Sequence, residues 1–184
     1  QIRRELGLDE TKKYVGSVTA VVDYEGLDTL IRSLEYLPED YVALIVGDGA
    51  ARPELEALTK ALGLEERVIF AGRQPNAGIW RWYAALDVFA LPRKDIRVTR
   101  TVTPIKPLTA MALEVPVVAS DLPALREVTG ERATYVPAGD AQAIASAIEK
   151  TKNARQKGPE WTRQRGWRGN SERYQAMYDR LGTS

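Results

Sequence analysis

The sequence predicts an α/β fold, a doubly wound parallel sheet of about six strands with helices on both faces. Two observations carry this reading. Short apolar runs alternate with amphipathic stretches of helical period from Tyr14 to about Lys150, as successive strand–helix units require. Most of the runs are rich in β-forming residues and apolar on both faces, the pattern of buried parallel strands.

Taken in order, the first strand is expected at Tyr14–Val18, followed by a helix over Gly26–Leu37 with Leu27, Leu30, Ile31 and Leu34 on one face. A second strand at Tyr41–Val46 leads to a helix over Pro53–Leu62, whose proline suits a first helical turn. The third strand is read at Arg67–Ala71 with a helix at Ile79–Leu86, and the fourth at Val88–Leu91 with a basic loop and a helix at Pro104–Leu113. The last two units pair Val115–Ser120 with Ala124–Thr129, and Ala133–Val136 with Ala141–Lys152, where Asp140 is placed to cap the final helix.

The flanks differ from this middle. Residues 1–13 are charged and poorly patterned, and read as an interdomain linker. Residues 14–157 form the expected domain. Residues 158–184 carry Trp161, Trp167, Tyr174, Met177 and Tyr178 among many arginines, which reads as a terminal helix with aromatics that need a surface to cover. No internal repeat or sustained heptad is visible.

Composition excludes several function classes. The 184 residues fit one domain, and 44% hydrophobic content supplies a core. Lys plus Arg number 26 against 25 Asp plus Glu, so a net charge of +1 exerts no global pull on nucleic acid or anionic membrane. Any anion site must be local. There is no cysteine and no histidine, which removes disulfides, thiolate metal sites and the commonest general base; no metal site is expected. No apolar run approaches the ~20 residues that span a bilayer, and the N-terminus has no signal-peptide character, so a soluble, cytoplasmic protein is the default expectation.

In open α/β sheets, ligands bind beyond the carboxyl ends of the strands. Four strand-to-helix loops stand out. Gly16 in Val15-Gly16-Ser17-Val18 either admits a ligand or neighbouring backbone or serves as a turn glycine. Gly47-Asp48-Gly49 suits a tight turn and is weak evidence for phosphate on its own. Arg73, in Ala71-Gly72-Arg73-Gln74-Pro75, could meet a phosphate or stack on a base, or be an ordinary surface arginine. The most informative loop runs from Pro92 to Ala112, basic and threonine-rich, straight into a helix N-terminus. Free N–H groups there, the Thr103 hydroxyl and the Lys106 ammonium together suit a diphosphate; the alternative is a solvated basic loop. Met111, Trp80, Trp82 and Tyr83 read as packing residues rather than a cofactor box.

At this point an ordered set of strings resembles the donor-binding C-terminal lobe of the retaining, GT-B-fold glycosyltransferases of family four. The strings are Gly26-Leu27-Asp28-Thr29-Leu30-Ile31, Ile45-Val46-Gly47-Asp48-Gly49, Val68-Ile69-Phe70-Ala71-Gly72-Arg73, Tyr83-Ala84-Ala85-Leu86-Asp87-Val88-Phe89-Ala90-Leu91-Pro92, Pro116-Val117-Val118-Ala119-Ser120-Asp121 and Val136-Pro137-Ala138-Gly139-Asp140. Each is weak alone; their joint order is specific. Thr103-Pro104-Ile105-Lys106-Pro107-Leu108 further resembles a subgroup whose loop reads Thr-Pro-Leu-Lys-Pro-Leu.

The resemblance implies a single Rossmann-like lobe of a GT-B enzyme that transfers a sugar from a UDP- or GDP-sugar donor to a glycan, lipid or other acceptor, with retention and without a metal or cofactor. It implies that the stretch after Arg73, with Gln74, contacts the base, that Thr103, Pro104, Ile105 and Lys106 hold the diphosphate, that Gly16 and Ser17 lie in the first donor loop, and that Thr109 meets the ribose. It also implies a missing N-terminal lobe as partner, an isolated lobe that is catalytically inert, and membrane association only through the parent protein.

Departures from the family pattern are equally informative. Ser17 and Glu25 stand where the family usually has the Arg and Lys that bind the diphosphate, and Thr101 and Thr109 stand at its two glutamates. Glu25 is therefore expected to point elsewhere, with Lys106, Arg100 or Arg97 supplying the charge. A degenerate, non-catalytic lobe serving assembly or regulation is the rival reading. A sugar-nucleotide epimerase is disfavoured by the absence of histidine, and a flavodoxin-like module by the ordered strings.

Overall fold

The structure, a computed structural model, describes residues 1–151 and Thr162; the expected terminal helix over 158–184 lies outside the described residues apart from Thr162. Six strands form one parallel sheet: β1 (Lys13–Val18), β2 (Tyr41–Val46), β3 (Val68–Gly72), β4 (Val88–Leu91), β5 (Val117–Ser120) and β6 (Thr134–Val136), in the order β3-β2-β1-β4-β5-β6. This is the predicted doubly wound sheet. Chain order reverses direction between β1 and β4, so the loops leaving these neighbours diverge and open a crevice at their carboxyl ends.

The helices are α1 (Ile2–Glu5), α2 (Leu27–Ser33), α3 (Arg52–Ala61), α4 (Ile79–Ala84), α5 (Arg97–Thr101), α6 (Lys106–Ala112), α7 (Pro123–Thr129) and α8 (Ala141–Thr151). The alternation of strand side chains divides the core in two. Val15, Ala43, Ile45, Val88, Ala90 and Val118 point to one face and meet Leu30 and Ile31 of α2 and Ile144 and Ile148 of α8. Tyr14, Leu44, Phe89, Leu91 and Val117 point to the other and meet Tyr83 of α4, Met111 of α6 and Leu125 of α7. Asp140 caps α8 as expected, accepting from Ala143 N at 2.8 Å.

Three differences from the sequence reading have local causes. The basic loop after β4 contains α5, a single helical turn in which Thr99 Oγ1 accepts from the Ile96 amide at 3.1 Å and bonds the Lys94 carbonyl at 2.5 Å. The next helix begins at Lys106 rather than Pro104, because Pro107, not Pro104, occupies its first turn. The helix over 26–37 is split: α2 ends at Ser33 and a 3-10 turn, Leu34–Tyr36, completes it.

Residues 1–13, expected as a linker, contain α1 and hold to the domain through Arg3. Its guanidinium pairs with Asp87 at 2.8 Å and donates to the Ala85 carbonyl at 2.9 Å, while Leu8 joins the core.

Candidate functional site

A cavity of about 670 Å³ opens at the carboxyl ends of β1, β2 and β3. Its wall is Val18, Thr19 and Ala20 after β1, Val46 to Gly49 after β2, Arg73, Gln74 and Asn76 after β3, Ile79 and Tyr83 of α4, and Lys106 and Thr109 of α6. A comparably large hollow between α1 and α4, lined by Arg3, Trp80 and Arg81, lies away from these strand ends.

The loops converge because one glycine lets them. Gly47 has φ +134°, and a Cβ on it would stand 1.8 Å from the Thr19 carbonyl oxygen. With no side chain there, Thr19 N reaches Val46 O at 2.8 Å and Gly47 N reaches Gly72 O at 2.9 Å, which ties three strand ends together beneath the cavity. The weak Gly-Asp-Gly signal thus has a structural cause in backbone approach.

Among the described residues, two cations face the cavity. Arg73 is exposed and has no ion pair among the described residues, while Gln74 beside it turns back to donate to the Ala71 carbonyl at 2.7 Å. Lys106, the first residue of α6, donates to the Thr19 hydroxyl and lies 3.6 Å from Glu25 Oε1. Burial lowers the Lys106 ammonium from its ordinary pKa, Glu25 acts against that shift and Arg93 adds to it. Thr109 lies one turn further along the same face of α6. Asp48 is the acidic group of the wall, and Arg52 stands 3.6 Å from it.

Glu25 turns away from the cavity, as expected. It ends a 3-10 turn, Asp23–Glu25, and is 2% exposed, with Arg93 on its far side 6% exposed. Arg93 Nη2 donates to Glu25 Oε1 at 2.8 Å, and its Nη1 donates to the Val102 carbonyl at 3.3 Å. The contact is possible because Gly26, at φ +68°, brings its Cα against the Pro92 carbonyl, where a Cβ would be only 1.9 Å from the oxygen.

Of the residues singled out in the sequence, Arg73, Gln74, Lys106 and Thr109 line this one cavity. Gly16 sits inside β1 between Leu44 and Phe89, and the Ser17 hydroxyl is buried and donates to the Ala90 carbonyl, joining β1 to β4. Thr103 is exposed, Pro104 buried and Ile105 77% exposed, all outside the cavity wall. Arg100 projects to solvent and pairs with Asp95, Nη2 to Oδ2 at 2.7 Å; Thr101 is likewise exposed.

Thr19 and Arg93 were not singled out, and Tyr83 was read only as a packing residue. Tyr83 is 5% exposed, stacks at 5.3 Å on Phe89 and still reaches the cavity wall, so it is both a packing residue and part of the site. Arg93 carries no local signal, because its partner lies 68 positions away in sequence.

Comparison with known proteins agrees with this architecture. The model of the family described as glycosyl transferases group 1 matches residues 1–165. The lipopolysaccharide core biosynthesis mannosyltransferase LpsB of Rhizobium meliloti is 35% identical over 159 residues, covering 80% of this chain and 43% of that protein. The structure of Anabaena Alr3699/HepE in complex with UDP superposes with a TM-score of 0.67 at 28% identity, covering 82% of this chain and 41% of the other. The C-terminal domain of LpcC from Francisella tularensis, a group 1 glycosyl transferase, has the same fold, with a TM-score of 0.68 at 23% identity over 82% of this chain and 80% of that one. The chain thus spans less than half the length of the first relative and first structure.

Proposed function

The chain belongs to the family of glycosyl transferases group 1, and on that premise we propose that it is the donor lobe of a glycosyltransferase, binding a nucleoside-diphosphate sugar in the cavity at the ends of β1 to β3. The observation that carries this reading is Lys106, a cation held at the wall of a crevice beside the switch point of the sheet. A nucleotide lies in this cavity with its base toward Arg73 and Gln74 and its diphosphate toward Lys106. Asn76 adds a polar group on the base side, and Ile79 and Tyr83 provide apolar surface. In the transfer step the donor's bond from anomeric carbon to diphosphate oxygen breaks, and negative charge grows on the leaving nucleotide. A fixed ammonium there stabilises that charge more than it stabilises the intact donor.

The UDP bound by HepE supports a nucleoside diphosphate as ligand. A donor with either uracil or guanine fits the reading, and the acceptor and a second, N-terminal lobe complete it in the parent protein. The reading also holds that the single lobe binds donor without transferring sugar, since acceptor contacts come from the other lobe.

One observation favours a second reading. Ser17 and Glu25 are both consumed in internal bonds, so the first loop directs no charged side chain into the cavity. A lobe that has lost its donor and serves assembly would look like this. Calorimetric titration with UDP, GDP and their sugar conjugates separates the two: saturable binding to one nucleotide supports the donor lobe, and a folded chain that binds none supports the degenerate one.

A further inference from the structure

Lys106 is a long side chain with many free rotamers to order, yet it is held at two points. One is the Thr19 hydroxyl on the cavity wall, the other Glu25 Oε1 at 3.6 Å. The carboxylate is itself immobile. Arg93 grips Oε1 at 2.8 Å and Oε2 at 3.4 Å, and the same guanidinium is anchored to the Val102 carbonyl.

We propose that Glu25 is the positioning residue for the Lys106 ammonium, fixing it at the cavity wall to receive the diphosphate of the donor. The proposal rests on the donor-lobe reading above. Glu25 acts through Lys106 and does not touch the ligand.

The charges around Lys106 show why Arg93 is needed. A lone Glu25 would neutralise Lys106 and offer a phosphate no net attraction. Arg93 balances Glu25, so the trio keeps one excess positive charge, and the member facing the cavity is Lys106. Among the described residues, the other charged groups on that wall are Asp48, after β2, and Arg73, after β3. Burial and the Arg93 charge favour the neutral amine, and Glu25 opposes this by its charge. Glu25 thus favours the protonated form of Lys106 and holds the side chain in place.

A merely structural latch between the two loops would leave Lys106 and its ligand unaffected once the fold is restored, which makes the two roles separable. The test uses the 184-residue chain, with the Lys106 side chain followed by NMR of 15N-labelled lysine and UDP and GDP affinities measured from neutral to alkaline pH. In Glu25→Gln, Lys106 loses its proton at lower pH than in the wild type, the alkaline loss of binding moves down with it, and affinity at neutral pH falls about tenfold.

Because Glu25→Gln leaves the Arg93 charge buried and unpaired, the double variant Glu25→Gln/Arg93→Gln is made beside it. It leaves the net charge of the trio unchanged and gives two amides that can bond each other. Positioning predicts that stability recovers while affinity stays about tenfold weak, and that Glu25→Asp, which keeps a carboxylate, recovers most of it. A folded double variant that binds as tightly as the wild type overturns the proposal, as does a Lys106 titration in Glu25→Gln that matches the wild type. Absence of nucleotide binding by the wild type overturns the donor-lobe reading and the phosphate half of this proposal, and is told apart by a Lys106 titration that still moves.

Discussion

Arg93 and Glu25 form a doubly hydrogen-bonded ion pair across the point where the sheet reverses direction, Nη2 to Oε1 at 2.8 Å and Nε to Oε2 at 3.4 Å, with both side chains more than nine-tenths buried. The pair joins the loop after β1 to the loop after β4, the two loops that diverge at the switch point. Removing one partner strands the other charge in the interior. Glu25→Ala is expected to lower stability by about 3–5 kcal/mol, whereas Glu25→Met/Arg93→Met, which removes both charges, is expected within about 1 kcal/mol of the wild type or above it. Urea unfolding of the three proteins checks this, and an unchanged midpoint in Glu25→Ala would show that the pair holds nothing.

Gly26 is the hinge of the same contact. Its φ of +68° disfavours any other residue, and an added Cβ would meet the Pro92 carbonyl oxygen at 1.9 Å. Gly26→Ala is predicted to cost roughly 2–4 kcal/mol from left-handed strain and the forced separation of backbones. Gly63→Ala is the control: it has a similar φ of +66° and an added Cβ would meet nothing within 4 Å among the described residues, so it should cost only the strain, about 1–2 kcal/mol. Equal losses in thermal unfolding would mean that the close approach is not what Gly26 provides.

Much of this fold is written locally. β2 and β4 were readable because Tyr41–Val46 and Val88–Leu91 are buried at every position, so their apolar runs are unbroken. α5 was not, because Arg97–Thr101 is short, carries three β-branched residues and takes its order from Thr99 hydrogen bonds that no periodicity announces. The site divides in the same way. Lys106, Arg73, Gln74 and Thr109 could be singled out because strand-end loops are where ligands meet this kind of sheet. Arg93 could not, since a buried cation is recognised by a partner that only the folded chain supplies. The resemblance put Gly16 and Ser17 in the first donor loop, but β1 runs to Val18, as the strand pattern itself indicates, so both lie in the sheet.

Tyr83 gives a prediction in pH. Burial pushes its phenol up to about 12, whereas in the unfolded chain a tyrosine ionises near ~10. Between these values the unfolded state sheds a proton that the folded state keeps, so stability falls as pH rises through that window. Tyr83→Phe should remove that part of the alkaline loss, visible as a shallower decline in urea midpoint above pH ~10. A decline identical to the wild type would place the ionisation elsewhere.

Calorimetric titration of UDP and GDP into the wild type and Lys106→Ala tests the central claim most directly. The account predicts saturable binding of one nucleotide by the wild type, and a loss of about tenfold to a hundredfold in the variant, the worth of one charge-assisted contact to a phosphate. Equal affinity in the two folded proteins would contradict it, because the cavity would then bind without the ammonium on which the site is built.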